Sequence, residues 1–463
     1  MKKSMILALC GGFCLSSCTF GPAWESPEMP VPAAFRSNTL AGSTMADLPW
    51  QQVLHDAQLQ ALLNDVFANN RSMEAMYHNV ETARHYVTMA AAPLFPWAGY
   101  GASTSKGMNS SGGAGIAKMY DKTTNPGSAQ LSASWELDLW GKTRKGVEGA
   151  EASAQQAEEQ FNNMRISLMR QVANGYLQLI MLDEQLKIQQ EAVASYRDIL
   201  QLFSDQQEGG VGTGLQTASA QGALAAAEAQ IPQLESQMTA LENTLSALAG
   251  RMPGHIARSG SLLAFADASY VAPGIPADVL ARRPDIRAAE QKLRAANAEV
   301  GVAIASYFPS ISLTGAAGYA SADLREATFG KNHGWGIGAN LTGPLFQAGM
   351  LRANEQMKRE GFLAAKADYE NTVIAAMSEI ATTLNQRAQL KKVIAEQEKA
   401  VASYKESVRL AKILFTGGAA SYYEVLTAQR ELFPAQLQLS AYRYQYASCI
   451  PTLYTQLGGG WSK

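Results

Sequence analysis

Histidine, cysteine, a Gly-Lys-Thr stretch and two Gly-Gly pairs are the places where this chain could do chemistry. The five histidines, His55, His78, His85, His255 and His333, are scattered along 463 residues. His78 and His85 could share a helix face, yet no cysteine stands near them to complete a metal-ligand set. Gly141-Lys142-Thr143 has the ending of a phosphate loop, but Glu136 stands five residues earlier, where that loop needs glycine. The "GWGIG" from Gly334 lies in a strand pattern and opens no helix, so it is no dinucleotide fingerprint. No nucleophile elbow or catalytic triad pattern occurs either. The expectation is a protein that is not an enzyme and carries no cofactor and no metal.

The remaining chemistry points to a membrane. Lys2 and Lys3 precede a short apolar core and a run of small residues, which reads as a secretory signal over 1–17. Its exit, Leu15-Ser16-Ser17-Cys18, resembles a lipobox, so Cys18 is the expected acylation site and 18–60 a lipid-anchored N-terminal segment. Thr19 follows rather than Asp, which by resemblance to lipoprotein sorting favours the outer membrane. Cys10 and Cys14 leave with the signal, so Cys449 has no partner for an intrachain disulfide. Charged residues are 17% and hydrophobic ones 47%, which excludes a largely disordered chain. A formal charge of −2 supplies no basic field for nucleic acid. After the start no run of 18 uncharged apolar residues occurs, so no transmembrane helix is expected.

The elements that position these residues are written twice. "ASY" at 194–196 returns at 402–404, and the same offset of 208 carries Gly209-Gly210 onto Gly417-Gly418 and Gly250 onto Gly458. A second offset, 213, carries Phe95-Pro96 onto Phe308-Pro309. The collinear matches divide the chain into a first repeat, 61–250, an equatorial linker, 251–277, and a second repeat, 278–463. Each repeat reads as a helix running into a proline (71–93 and 278–309), two alternating segments around a polar loop, then a very long helix, a Gly-Gly break and a return helix. In the long helices Ile166, Met169, Ala173, Tyr176 and Ile180, and again Val373, Met377, Ile380, Leu384 and Ala388, form one apolar seam. A soluble coiled coil would show the same seam. The 68 residues from 141 to 208 make a rod of about 100 Å. Two shorter helices, 215–250 and 278–308, match it when laid end to end.

Four segments alternate with period two: about 94–106, 128–139, 309–320 and 333–345. Each is near ten residues, the length of a tilted strand crossing a bilayer. One face suits lipid and the other water. Phe95, Trp97, Trp140, Tyr307, Phe308 and Phe346 gather where helix meets strand, at headgroup level. Pro93, Pro96, Pro309 and Pro344 mark the same junction, because proline stops a helix without needing a strand hydrogen bond. The alternative is a soluble sheet capped by helices. In lipid, the two edges of a four-stranded sheet cannot stay unpaired. Several chains must close the wall, and three chains with twelve strands form the smallest ring with room inside.

The chain resembles the outer membrane efflux proteins, the TolC-like channels, and within them the lipoprotein branch that serves RND-type multidrug pumps. The stretches that carry this are "CTFGPAWESPEMPVPAAF" from Cys18, "WELDLWGKTRKGVEGAEAS" from Trp135, "RRPDIRAAEQKLRAANAEVGVAIASYFPSISLTGAAGY" from Arg282, "GPLFQAGMLRANEQ" from Gly343 and "SYYEVLTAQREL" from Ser421. The resemblance implies a mixed α and transmembrane β fold. Three chains would form a 12-stranded β-barrel, four strands per chain, continuous with a long α-helical periplasmic barrel. It implies a homotrimer in the outer membrane, a periplasmic adaptor protein and a proton-driven inner-membrane transporter. It also implies a gate at the periplasmic tip. The helix turns there are Gly209, Gly210, Gly417 and Gly418, and Asp205, Tyr422, Tyr423 and Glu424 stand beside them. Glu424 matches the first position of the family's acidic ring. The second is Thr427, a departure, and the duplicate of Glu424 is the uncharged Gln216. Glu424 also fits an ordinary solvated residue at a helix start, favoured by the helix dipole. The competing functions are a type I protein-secretion or heavy-metal efflux channel, and a non-pore periplasmic scaffold of lipid-anchored coiled coils.

Overall fold

Proline and the period-two pattern decide where helix gives way to strand. The computed structural model describes residues 20–27, 29–30, 32, 44–108, 123–124, 126–267, 276–321 and 333–461. Cys18 and most of the two polar loops lie outside the described residues. The chain forms two compact units.

The first unit draws on residues up to 28, 79–157 and 288–369. Its centre is an antiparallel sheet of β1 (Trp97–Thr104), β2 (Gly127–Leu137), β3 (Ser310–Ser321) and β4 (His333–Thr342), in that order. The register places Tyr100 opposite Leu131, Leu131 opposite Ala317 and Ala317 opposite Trp335. A short two-residue pairing of Gly107–Met108 with Thr123–Thr124 stands apart from it.

The junctions are built from local chemistry. Tyr307 and Phe308 close short i→i+3 turns onto Ile304 and Ala305, and Pro309 then ends the helical path before β3. Trp140 Nε1 donates to the Pro309 carbonyl at 2.6 Å. The Trp140 and Phe20 rings stack on Phe308 at 5.1 and 4.5 Å. After β2, Asp138 accepts from the Thr143 and Arg144 amides at 3.2 and 3.0 Å and pairs with the Arg144 side chain. Those amides are orphan donors of a helix start, so the carboxylate launches the next helix.

The second unit draws on residues 29–78, 158–287 and 370–463. The longer helices of the two units, in chain order, are α1 (Ala57–Asn69), α2 (Arg71–Ala91), α3 (Lys142–Glu208), α4 (Gly214–Leu248), α5 (Pro284–Ala305), α6 (Met350–Thr416) and α7 (Tyr422–Gln456). α3 and α6 have 67 residues each, α4 and α7 have 35 each. Each pair begins 208 residues apart, so the duplication extends to the element bounds. Even side-chain details recur. Gln189 donates to the Ala227 carbonyl, and Gln397 donates to the Ala435 carbonyl.

Two expectations are corrected here. The helix expected over 278–308 is broken. A short helix, Pro276–Arg282, ends before α5, because Pro284 pushes Arg283 away from helical backbone. Arg283 is buried at the break and forks onto Asp285 at 2.9 and 2.6 Å. The segment 44–69 also packs into the second unit. Asp56 caps α1 through the Leu59 amide, and Leu59, Leu63 and Val66 are fully buried. Each contributes on the order of 2 kcal/mol of burial. These residues belong to one buried cluster with residues of α3, α4, α6 and α7, and in α3 the single-seam picture fails. Leu168, Val172, Leu177 and Leu179 are buried along with Met169, Ala173 and Tyr176, so this stretch is covered on most of its circumference.

Candidate channel wall and helix-tip turns

The register sorts most of the sheet's side chains by polarity, the exceptions being Thr104, Ser321 and His333 on the apolar face and Trp97, Ala316 and Ala320 on the other. One face carries Ala98, Tyr100, Leu131, Ala133, Trp135, Ile311, Leu313, Ala317, Trp335, Ile337 and Leu341. The other carries Ser103, Ser128, Gln130, Ser132, Ser134, Glu136, Ser312, Thr314, Asn340 and Thr342, with glycines between. The apolar face buries almost nothing within one chain: Tyr100 is 89% exposed, Ile337 82% and Trp335 77%. Leaving such side chains in water forfeits roughly 2 kcal/mol each, whereas hydrocarbon suits them. β1 and β4 each have one strand partner, so the sheet presents two open edges. Among the described residues no helix is long and apolar enough to cross a membrane.

At the helix tips two turns share one hydrogen-bond pattern. The Gly209, Gly210, Val211 and Gly212 amides donate to the carbonyls of Asp205, Gln207, Gln206 and Gln206. The Gly417, Gly418, Ala419 and Ala420 amides donate to Ile413, Phe415, Leu414 and Leu414, each 208 residues on. Gly210 and Gly418 adopt φ of +69° and +72°, the left-handed backbone that a helix end of this kind requires.

The side chains differ. Tyr422 is buried, with its ring set edge-on to Phe203 at 4.7 Å and to Phe415 at 4.9 Å. Burial pushes its hydroxyl pKa up, and the charge of Asp198 adds to this. Tyr423 is 70% exposed, and Glu424 beside it is exposed too. Asp205 is exposed and accepts from Gln201 Nε2 at 2.8 Å. Tyr422 thus packs onto an aromatic residue ahead of each glycine turn, while Asp205, Tyr423 and Glu424 are exposed. The sequence pattern missed the Phe203–Tyr422–Phe415 cluster. It also missed Gln429, which is buried and donates to Ser195 Oγ at 2.5 Å. The available signal was three aromatic residues flanking the two Gly-Gly pairs, since a turn brings its flanks together. The scattered histidines take ordinary roles: His255 Nδ1 stands 2.9 Å from Glu242, which also holds the largely buried Arg258. Among the described residues no group of three His, Cys, Asp or Glu is placed to hold a metal ion.

A sheet that is apolar on one face, hydrophilic on the other and open at both edges, joined to duplicated helical hairpins, defines one subunit of an oligomeric membrane channel. The chain belongs to the outer membrane efflux protein family, whose pattern matches residues 62–251 and 275–459. It is similar to the probable efflux pump outer membrane protein TtgC of Pseudomonas putida, 31% identical over 476 aligned residues, covering 100% of this chain and 96% of that one. It is also similar to the cation efflux system protein CusC of Escherichia coli, 29% identical, with all of both chains covered. A crystal structure of CusC superposes with a TM-score of 0.85 at 28% identity, over 96% of this chain and 100% of that one. The chain is thus an outer-membrane efflux channel. Three copies build one barrel that is continuous with a helical periplasmic part.

Proposed function

We propose that the chain is the passive exit duct of a tripartite pump that exports drugs or other small molecules from periplasm to exterior. The sheet carries this reading: no single chain can satisfy its apolar face and two open edges, and a closed twelve-stranded ring in lipid satisfies both. A periplasmic adaptor and an inner-membrane RND-type transporter supply cargo and energy, so the duct itself performs no catalytic step. Cys18 carries acyl chains that hold the N-terminal segment, 18–60, to the membrane. The likeness to CusC, a cation efflux protein by name, gives a second reading, the export of metal cations.

Gating is assigned to the helix tips. Three Glu424 carboxylates, one per chain, form an acidic ring at the periplasmic mouth, flanked by Tyr423 and Asp205. Tyr422 locks the turn from inside, because its ring is clasped by Phe203 and Phe415. An adaptor opens the mouth by shifting packed helices between two discrete arrangements. Purified protein in a planar bilayer tests the function: discrete conductance steps are expected, and a protein that inserts without conducting contradicts it. Glu424→Ala is expected to raise conductance or weaken block by cations, and no change in either removes Glu424 from the gate.

A further inference from the structure

We propose that Glu136 is a charge-selectivity determinant inside the barrel, favouring the exit of cationic solutes such as protonated amines. This rests on the trimeric-channel reading above. Glu136 lies on the hydrophilic face of β2, one residue from the strand's helix-side end. Its partner across the pair is Ser312, and Ser312 in turn faces Asn340. The next row on the same face is Trp97, Ser134, Thr314 and Gly338. Among the described residues of the four strands, Glu136 is the one acidic or basic side chain on that face. Its neighbour Asp138 is committed to Arg144 and to the helix start. Glu136 is exposed, and no hydrogen bond or ion pair reaches its carboxylate among the described residues.

Such a carboxylate has no structural task in the chain. A lone ionised group beside hydroxyls and glycine is not needed for strand pairing, and a serine would serve the sheet equally. Its effect is electrostatic and arises on assembly, when three copies place three carboxylates at one level of the lumen. Twelve strands about 4.8 Å apart close a barrel about 25 Å across. The carboxylates then stand about 10 Å from the axis, near one Debye length at 0.1 M salt. At that distance three charges raise the cation-to-anion ratio on the axis roughly two- to fivefold, and the effect vanishes at 1 M salt, where the Debye length is about 3 Å.

Reversal potentials in a KCl gradient test this, with full-length trimers in planar bilayers. All variants carry Glu424→Gln, so the tip carboxylate does not set the potential. Glu136→Gln is expected to lower the K⁺/Cl⁻ permeability ratio roughly two- to fivefold near 0.1 M salt and to leave it unchanged at 1 M. Glu136→Asp retains the ratio, and Glu136→Lys inverts the preference. Ser312→Lys places a cation opposite Glu136 without altering it, and is expected to reproduce the fall if the Glu136 variants do not assemble. A conducting Glu136→Gln or Ser312→Lys trimer whose ratio is unchanged at low salt overturns the proposal. A parent trimer that never conducts overturns the channel reading instead.

Discussion

The two helix tips have the same backbone and different chemistry. Between Asp205 and Gly212, and again between Ile413 and Ala420, each amide finds the same relative carbonyl, and each second glycine takes the same left-handed φ. Beyond the turn the copies diverge. The first continues Gly214-Leu215-Gln216, the second Tyr422-Tyr423-Glu424. At the first tip Gln216 Oε1 accepts from the Thr213 amide at 3.0 Å and closes the helix start on itself. At the second, the buried tyrosine ties the turn to the neighbouring helices and leaves a carboxylate in solvent. Duplication supplied the hinge geometry twice, and one copy acquired the groups that can lock and charge it.

Substitutions at matched positions can break this contrast. The largest effect is expected at the first matched pair. Tyr422→Ala removes a buried ring and costs about 3–5 kcal/mol locally. Gly214→Ala, its repeat mate, stabilises by about 0.5–1 kcal/mol, because a Cβ there meets only the Gln207 side chain at 3.9 Å. Hydrogen exchange of the tip amides measures both, and equal responses would erase the asymmetry. Next come the shared glycines. Gly210→Ala and Gly418→Ala are each expected to cost about 1–2 kcal/mol by the same measurement, since both place a side chain at positive φ. Unequal costs would mean the turns are not equivalent. Alkaline pH separates the tips further. The folded-state pKa of Tyr422 is raised above its unfolded value of about 10, so tip stability holds below pH 10 and falls as pH climbs past it. Tyr422→Phe should abolish the part of that fall belonging to this residue. The smallest effect is electrostatic. Gln216→Glu adds one carboxylate per chain beside the tip turns and should strengthen block by multivalent cations, while Glu424→Gln weakens it. Identical block in both variants argues against a charged mouth.

How much of this was legible in sequence follows from the range of the interactions. The strands and their faces were legible because alternation is local: Tyr100, Leu131 and Trp335 declare their side by parity alone. The tip turns were legible because Gly-Gly after a long helix has few other uses. Acylation at Cys18 is outside the described residues and remains part of the proposal. The break at Arg283-Pro284 carried its own signal in the proline, but the strong apolar pattern on both sides concealed it. The burial of Leu59, Leu63 and Val66 was not legible, since their cluster joins residues more than 100 apart in the chain. The Phe203–Tyr422–Phe415 clasp was missed for a related reason. Each aromatic looks like an ordinary helical residue until the turn brings the three together.

The central claim is that the sheet is incomplete in one chain and is closed by two sister copies. Light scattering of the detergent-extracted Cys18→Ser variant tests it most directly, because removing the acyl anchor removes any other need for detergent. A protein mass of three chains that persists in detergent and aggregates without it is the predicted result. A monomer of one chain, stable in plain buffer, would contradict the account.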